Sequence, residues 1–292
     1  MKKKILITGA NGLLGRNLVE LLSKKYKVYA LVQDKKKIKF KINKNISILE
    51  IDLANINLKK LPSDIDIIYY LAQSNQFKNF PRGTSDMISV NIITPNILAK
   101  WGIQKGVKKF IYTSTGGVYS GQIKSIKENK NINANKQIGF YNNTKLSAEM
   151  LLRNYTNNFE TLTIIRPFFI YGFGQKKNML IPKLILNIKN NKEITIHGNQ
   201  GIKINPIYVT DAANAMFKIL NLKKSMIINL CGKEVISLKT LILLIGKYLK
   251  KKPIIKYNHL FQSNLIGNSI LMRKKLINPK IDLKKGIKMT IG

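Results

Sequence analysis

The chain has 292 residues, 45% hydrophobic and 22% charged, enough for one large or two modest folded domains, and this balance excludes a disordered chain. Its formal net charge of +37 would suit a nucleic acid or an anionic membrane, yet no apolar run approaches the ~20 residues that span a bilayer. The single cysteine, Cys231, excludes an intrachain disulfide.

The basic excess is diffuse. Arg16, Arg82, Arg153, Arg166 and Arg273 are the only arginines, and lysines spread from end to end supply the rest, in a chain also rich in asparagine and isoleucine. All three of those residue types have codons rich in A and T, so a biased genome accounts for the charge without a partner. No basic block with interleaved aromatics stands out. The expectation is no nucleic acid, no membrane, and a positive field that attracts phosphorylated small molecules. The start, Met1-Lys2-Lys3-Lys4-Ile5-Leu6-Ile7, mimics a signal peptide, but Gly9, Asn11 and Gly12 interrupt it and no small-residue cleavage site follows. It reads as a first strand, and the location expected is the cytoplasm.

Strands are expected at Ile5–Thr8, Lys27–Val32, Ile46–Asp52, Ile65–Ala72 and Lys108–Thr115. Leu14, Leu18, Leu21 and Leu22 form one face of an intervening helix. Met87, Val90, Asn91 and Leu98 lie in another, which Pro95 should kink or divide. A long helix follows Tyr141 to about Asn157, then a strand at Thr161–Arg166. Beyond Pro167 the pattern loosens into loops, strands at Ile194–His197 and Ile204–Val209, a helix over Thr210–Asn221 capped by Thr210 or Asp211, and a helix over Ser237–Lys251 capped by Ser237. Lys130–Lys136 reads as a polar loop. The alternation predicts an α/β fold: a Rossmann-type, doubly wound parallel sheet with a small C-terminal α/β substrate lobe. Residues 1–167, rejoined by 204–232, would form the dinucleotide-binding domain. Residues 168–203 and 233–292 would form the substrate lobe.

Two stretches carry chemistry. Ile7-Thr8-Gly9-Ala10-Asn11-Gly12-Leu13-Leu14-Gly15 follows a strand and opens a helix. In that context Gly9 permits a tight turn, Gly12 admits a pyrophosphate to the backbone, and Gly15 lets helix and strand pack closely. A purely structural turn is the alternative. In Tyr141-Asn142-Asn143-Thr144-Lys145, phenol and ammonium share a helix face. The cation would lower the phenol's ordinary pKa of ~10 and make a usable base. Upstream, Thr113-Ser114-Thr115-Gly116-Gly117 places hydroxyls at a strand's carboxyl end, where such sheets bind ligands. His197 and His259 lack partners at catalytic spacing, and no metal-ligand cluster is present in the sequence. Trp101, Phe168 and Phe169 read mainly as packing.

These motifs, with Asp52-Leu53, Tyr70-Leu71-Ala72-Gln73-Ser74, Asn91, Arg166-Pro167-Phe168-Phe169-Ile170-Tyr171-Gly172, Asn205-Pro206-Ile207-Tyr208-Val209-Thr210-Asp211 and the tail Ile277 to Gly286, resemble the extended short-chain dehydrogenase/reductase family, in its branch of NAD-dependent nucleotide-sugar epimerases and dehydratases. The resemblance covers essentially the whole chain. It implies cofactor contacts from Gly9, Asn11, Gly12, Leu14, Gly15, Asp52, Leu53, Leu71, Ala72, Thr113, Tyr141, Lys145 and Pro167. Tyr141 would exchange a proton with a sugar hydroxyl, Thr115 would share that hydrogen bond, and Lys145 would also hold the nicotinamide ribose. Substrate contacts are implied for Gln73, Thr115, Phe169 and Lys203. A homodimer is implied as well.

The departures are informative. Val32 stands where NAD-binding relatives carry an acid, and Gln33 where NADP-binding relatives carry arginine. Asp34 could replace the acid, and Lys35–Lys37 could meet a 2′-phosphate, so NAD is expected with NADP left open. Phe169 replaces a frequent asparagine, and Lys203 an arginine, without the planar fork. Dehydratases of this branch carry an acid soon after the active-site Thr or Ser; here Gly116 and Gly117 follow Thr115. The reading favours epimerisation of a nucleotide sugar at C4, with a keto-sugar reductase or a non-catalytic dinucleotide sensor as alternatives.

Overall fold

The structure is a computed structural model that describes residues 2–120, 124–133, 137–260 and 263–292. Its first half alternates strand and helix: β1 (Lys4–Thr8), α1 (Leu13–Leu22), β2 (Lys27–Val32), β3 (Ile46–Glu50), β4 (Ile67–Tyr70), α2 (Thr84–Ile88), α3 (Thr94–Gln104), β5 (Lys109–Thr113), α4 (Phe140–Arg153) and β6 (Thr161–Pro167). Then come β7 (Ile170–Tyr171), α5 (Leu180–Lys189), β8 (Ile194–His197), β9 (Lys203–Ile204), β10 (Ile207–Tyr208), α6 (Val209–Lys218), β11 (Met226–Leu230), β12 (Ile236–Ser237), α7 (Leu238–Leu249), β13 (Ile255–Asn258), α8 (Ile270–Lys275) and α9 (Leu283–Ile291).

Seven strands pair in parallel in the order β11-β6-β5-β4-β1-β2-β3. A parallel sheet needs cover on both faces, which is why its strands read as continuous apolar runs. Leu14, Leu18 and Leu22 of α1 bury one face together with Ala212, Ala215 and Met216 of α6 and Met272 of α8. Leu98 and Trp101 of α3, with Ala148 and Leu152 of α4, bury the other. A third core forms where Ile181, Leu184 and Ile188 of α5 meet Leu241, Ile242 and Ile245 of α7 and Ile287 of α9. Among the described residues no helix is long and apolar enough to cross a membrane.

Some elements depart from expectation, each for a physical reason. The strand expected over Ile204–Val209 is two short pieces, because the Asn205 amide turns away to bond the carbonyls of Gly232 (3.0 Å) and Gly267 (2.7 Å) and Pro206 has no N–H. The α6 N-cap is Tyr208, with no side-chain cap. The Asp211 carboxylate instead accepts from the backbone N–H groups of Lys280 (2.9 Å) and Ile281 (2.8 Å), fastening the tail. Ser237 does cap α7, its Oγ accepting from Thr240 N at 3.1 Å. The helix after Tyr141 stops at Arg153, four residues short, and gives way to a 3₁₀ turn at Thr156–Asn158. Residues 130–133 form no regular element, and 134–136 of the expected polar loop lie outside the described residues.

Pro95 acts differently from a simple kink. Between α2 and α3, Ser89–Ile93 forms a π-helical turn, with the N–H of Thr94 bonding the carbonyl of Ser89. Proline has no N–H, so the Asn91 carbonyl loses its i+4 donor and the Val90 carbonyl its i+5 donor. Two tyrosines from neighbouring strands supply what is missing. Tyr70 Oη donates to Val90 O at 2.5 Å, and Tyr112 Oη donates to Asn91 O at 3.2 Å. Their rings are fully buried and stacked, with centroids 5.9 Å apart.

We expect Tyr70→Phe, which orphans the Val90 carbonyl, to cost about 1–3 kcal/mol in denaturant unfolding. In a Pro95→Ala background, where an N–H is restored, the same change should cost less than half as much. Equal costs in both backgrounds would contradict this account of the π-turn.

Candidate active site

β1 and β4 are neighbours, and the chain leaves them in opposite directions along the sheet, so their carboxyl ends bound the switch point where parallel sheets take ligands. Thr8 is fully buried there. Its hydroxyl accepts from the N–H groups of Leu71 and Ala72, each at 3.2 Å. Gly9 follows at φ +65, and a Cβ on it would stand 2.9 Å from Ala72 N and Cα. A Cβ on Gly15 would overlap the Gly9 carbonyl oxygen, so helix and strand touch through backbone. At Gly12 a Cβ would meet only Gly9 O, at 3.1 Å. Gly12 caps α1 without a side chain, and the first turn holds no acidic residue. An open glycine cradle at an uncapped helix N-terminus fits the pyrophosphate of a dinucleotide.

The neighbouring side chains frame this groove. Asn11 secures the chain after β2, its Nδ2 donating to Lys37 O (2.5 Å) and its Oδ1 accepting from Lys39 N (2.8 Å). Asp34 is engaged in its own turn, accepting from Lys36 N (2.8 Å) and pairing with Lys37 Nζ (2.7 Å). Gln33 Oε1 accepts from Asn75 Nδ2 at 3.2 Å. Asp52 is exposed beyond β3, with Leu53 half-buried beside it. Leu14 is buried in α1, and Pro167 ends β6 against Leu230. The loops after β4 and β7 meet: Lys78 Nζ donates to Asn178 O (2.9 Å) and Lys176 Nζ to Asn75 Oδ1 (3.0 Å). Arg16 Nη2, in the first turns of α1, donates to Phe173 O at 2.6 Å and ties the second loop to the glycine turn.

Tyr141 opens α4, and its hydroxyl donates to Gln73 Oε1 at 2.7 Å, while Phe77 packs on its ring at 5.5 Å. One turn on, Lys145 is buried with its ammonium 4.6 Å from the centre of the Tyr112 ring. Burial pushes Lys145 down to about 7, partly opposed by the negative charge of Glu149, and burial pushes the Tyr141 phenol above its ordinary value. This corrects the expectation that the lysine lowers the phenol. With a pKa of about 7 the lysine is only partly charged near neutrality, and desolvation outweighs its field. Thr115 Oγ1 accepts from Gly117 N at 3.1 Å. The buried hydroxyls of Thr113 and Ser114 have no hydrogen-bond partner among the described residues, which leaves hydrogen-bonding capacity at the carboxyl end of β5 for a bound molecule.

Positions 116 and 117 have no room for side chains. A Cβ on Gly116 would lie 2.8 Å from the Phe168 ring, and one on Gly117 would overlap the Asn142 amide, itself held by a 2.6 Å bond to Ile138 O. Phe168 stacks on Tyr119 at 6.1 Å. Phe169 is half-buried against the third core rather than among the hydroxyls. Lys203 is exposed on β9, beside a cleft lined by Gln200, Ser237 and Thr240.

A buried polar chain escaped the sequence analysis. Arg166 Nε donates to both carboxylate oxygens of Glu149 (3.0 and 3.2 Å), Nη2 donates to Oε2 (2.5 Å), and Nη1 donates to Tyr119 Oη (2.6 Å). Tyr119 Oη donates on to Asn229 Oδ1 at 3.0 Å. The available signal was Glu149, four residues after Lys145 on the apolar face of α4. Asn91 proves to be a splint: Oδ1 accepts from Ser74 N and Nδ2 donates to Thr144 Oγ1, both at 3.0 Å.

The switch-point glycine turn and the Tyr–Lys pair on the helix after β5 define a dinucleotide-binding protein of the short-chain dehydrogenase/reductase type. The chain belongs to the NAD dependent epimerase/dehydratase family, whose model matches residues 5–231. It is 33% identical over 243 residues to a dTDP-D-glucose 4,6-dehydratase of Dictyostelium discoideum, covering 75% of this chain and 55% of that protein. Against three mammalian enzymes of that name the share of the relative is 64–65%, so the chain spans less than two thirds of these curated relatives. It is 25% identical to a UDP-glucuronate 4-epimerase of Thermodesulfobacterium geofontis, over 98% of this chain and 94% of that one. The crystal structure of UDP-glucuronic acid 4-epimerase from Bacillus cereus in complex with NAD superposes with a TM-score of 0.86, at 25% identity, covering 99% of this chain and 95% of the other.

Gly12→Ala should fold with a small fall in melting temperature, from the 3.1 Å approach of its Cβ to Gly9 O, and weaken dinucleotide binding at least tenfold, because that Cβ enters the cradle. Gly15→Ala should lower the melting temperature further. Calorimetric titration with NAD beside thermal melts checks both.

Proposed function

We propose that the protein epimerises a nucleotide sugar at C4, using NAD as a cofactor that it keeps. The observation that carries this reading is the Thr115–Tyr141 site with no space at Gly116 or Gly117. Water elimination needs an acid near Thr115, and each position immediately after it is closed by Phe168 or Asn142. The relatives named as dehydratases therefore share the family rather than the expected outcome.

The family resemblance and the site's geometry together support the following roles. Gly9, Gly12 and Gly15, with the N-terminus of α1 and the buried Leu14, would hold the pyrophosphate. Asp52 and Leu53 would face the adenine, while Leu71, Ala72, Thr113 and Pro167 would line the nicotinamide end. NAD, when bound, supplies the hydride acceptor and donor. Tyr141 would take the proton of the sugar C4 hydroxyl and later return it, a general-base task that its Gln73 contact must yield to substrate. Thr115 would hold the same hydroxyl. Lys145, when protonated, would stabilise the phenolate and bind the ribose. Gln73 would contact the sugar, and Lys203 would meet the substrate phosphates as a point charge. Phe169, packed on the third core, would form a wall of the substrate lobe. Residues 168–203 and 233–292 would make up that lobe.

NAD rather than NADP fits Asp34 and Lys37 neutralising one another. The Lys78–Asn178 and Lys176–Asn75 contacts support retention of the cofactor between turnovers. Ile93, Ile97, Met150 and Leu151 expose apolar surface on the neighbouring helical segments of the π-turn, α3 and α4, which supports a homodimer. A buried thiol, Cys231, with its pKa pushed up to about 12, suits a cytoplasmic protein.

Incubation of UDP-glucuronic acid, UDP-glucose and related nucleotide sugars with catalytic NAD, followed by NMR, should show interconversion of two C4 epimers with no accumulation of reduced nicotinamide. Stoichiometric oxidation of reduced cofactor with a keto-sugar, and no epimerisation, would make the protein a reductase. Tyr141→Phe should lower turnover at least ~100-fold while NAD still binds.

A further inference from the structure

Lys145 lies almost wholly inside the protein, 1% exposed, where an ammonium is costly unless something receives it. Few groups do. On its own helix Tyr141 precedes it by one turn and Glu149 follows by one turn. Glu149 is held by three bonds from Arg166 of β6, so much of its field is already spent. From α2, Asp86 is bound to the Ser74 hydroxyl. From the π-turn, Asn91 uses its side chain on Ser74 and Thr144. From the sheet come Tyr112 and, stacked behind it, Tyr70. The group that the ammonium faces at 4.6 Å is the Tyr112 ring.

That ring is immobilised by a second, independent device. Tyr112 Oη donates to the Asn91 carbonyl, one of the two acceptors stripped of a backbone donor by Pro95. The ring therefore cannot shift out of its place without orphaning a buried carbonyl.

We propose that Tyr112 is a positioning residue for this reaction, its ring seating the Lys145 ammonium one helical turn from Tyr141 and its hydroxyl locked on the carbonyl that Pro95 leaves free. The inference rests on the roles given to Tyr141 and Lys145 above. The negative face of an aromatic ring attracts a cation and favours the charged form of the lysine. Lys145 is charged below its pKa of about 7 and loses its charge above it, so the ring enlarges the charged share of the lysine near neutrality.

The test varies the ring's charge distribution without its shape. Tyr112→Phe sets the baseline, and mono-, di- and trifluorinated phenylalanines are then placed at position 112. The readout is the midpoint of the Lys145 titration itself, followed by NMR of protein carrying 13Cε-labelled lysine, with Lys145→Met to assign the signal. Stepwise fluorination should move that midpoint to lower pH, by about 0.5–1.5 units over the series. Tyr112→Phe alone should lower the melting temperature, from the orphaned Asn91 carbonyl, and leave the midpoint within a few tenths of a unit. A fixed midpoint across the fluorinated series, with only the melting temperature changing, would overturn the proposal and make Tyr112 a space-filling residue. Lys145→Met separates the two levels. If it loses turnover while fluorination changes nothing, the positioning claim fails and the site assignment stands. If it keeps turnover, both fail.

Discussion

A lysine ammonium buried in an apolar layer is the constraint on which much of this structure depends. Lys145 sits on the face of α4 that packs on the sheet, together with Ala148 and Leu152. An unpaired charge there would shed its proton or unfold the helix. The surroundings hold it at an intermediate point, near neutrality, with an aromatic ring below and a partly neutralised carboxylate one turn away. The Glu149–Arg166 pair is in turn completed by Tyr119 and Asn229, so that α4, β6, the turn after β5 and β11 share one polar chain through the interior. A buried ion pair of this kind adds little net stability against an apolar substitute, but removing either partner costs heavily. Its value here lies in fixing where α4 stands over the sheet.

The same logic of compensated defects shapes the other side of the site. Pro95 takes a donor out of a helix, the chain relaxes into a π-turn, and two stacked tyrosines return the missing hydrogen bonds. That turn brings Asn91 to where its side chain splints the Gln73–Ser74 loop to α4. The glycine turn supplies the remaining wall, with backbone against backbone at Gly9, Gly15 and Ala72. The proposed dinucleotide groove and proton-transfer site would thus be built from neighbouring strand ends and joined by a few short bonds.

Much of this was legible in the sequence. Apolar strands covered on both faces announce themselves as runs, and Lys27–Val32 and Ile194–His197 appear in the structure with the bounds expected. The glycine turn and the Tyr141–Lys145 spacing were equally plain, because both are local. What stayed hidden depends on distant partners. Glu149 and Arg166 are 17 positions apart with no shared period, and Tyr70 and Tyr112 serve a turn that neither adjoins. The sign of the Tyr141 shift was also hidden: spacing shows a cation nearby, whereas depth of burial is a property of the folded chain.

The central claim is that one proton carrier at Tyr141 and one retained dinucleotide invert a sugar carbon with no net redox change. The most direct measurement follows deuterium placed at C4 of the nucleotide sugar that the enzyme interconverts, in ordinary water. Full retention of deuterium at C4 in both epimers, with none in solvent, is the result this account predicts. Loss of the label to water, or its appearance on free reduced cofactor, would contradict it.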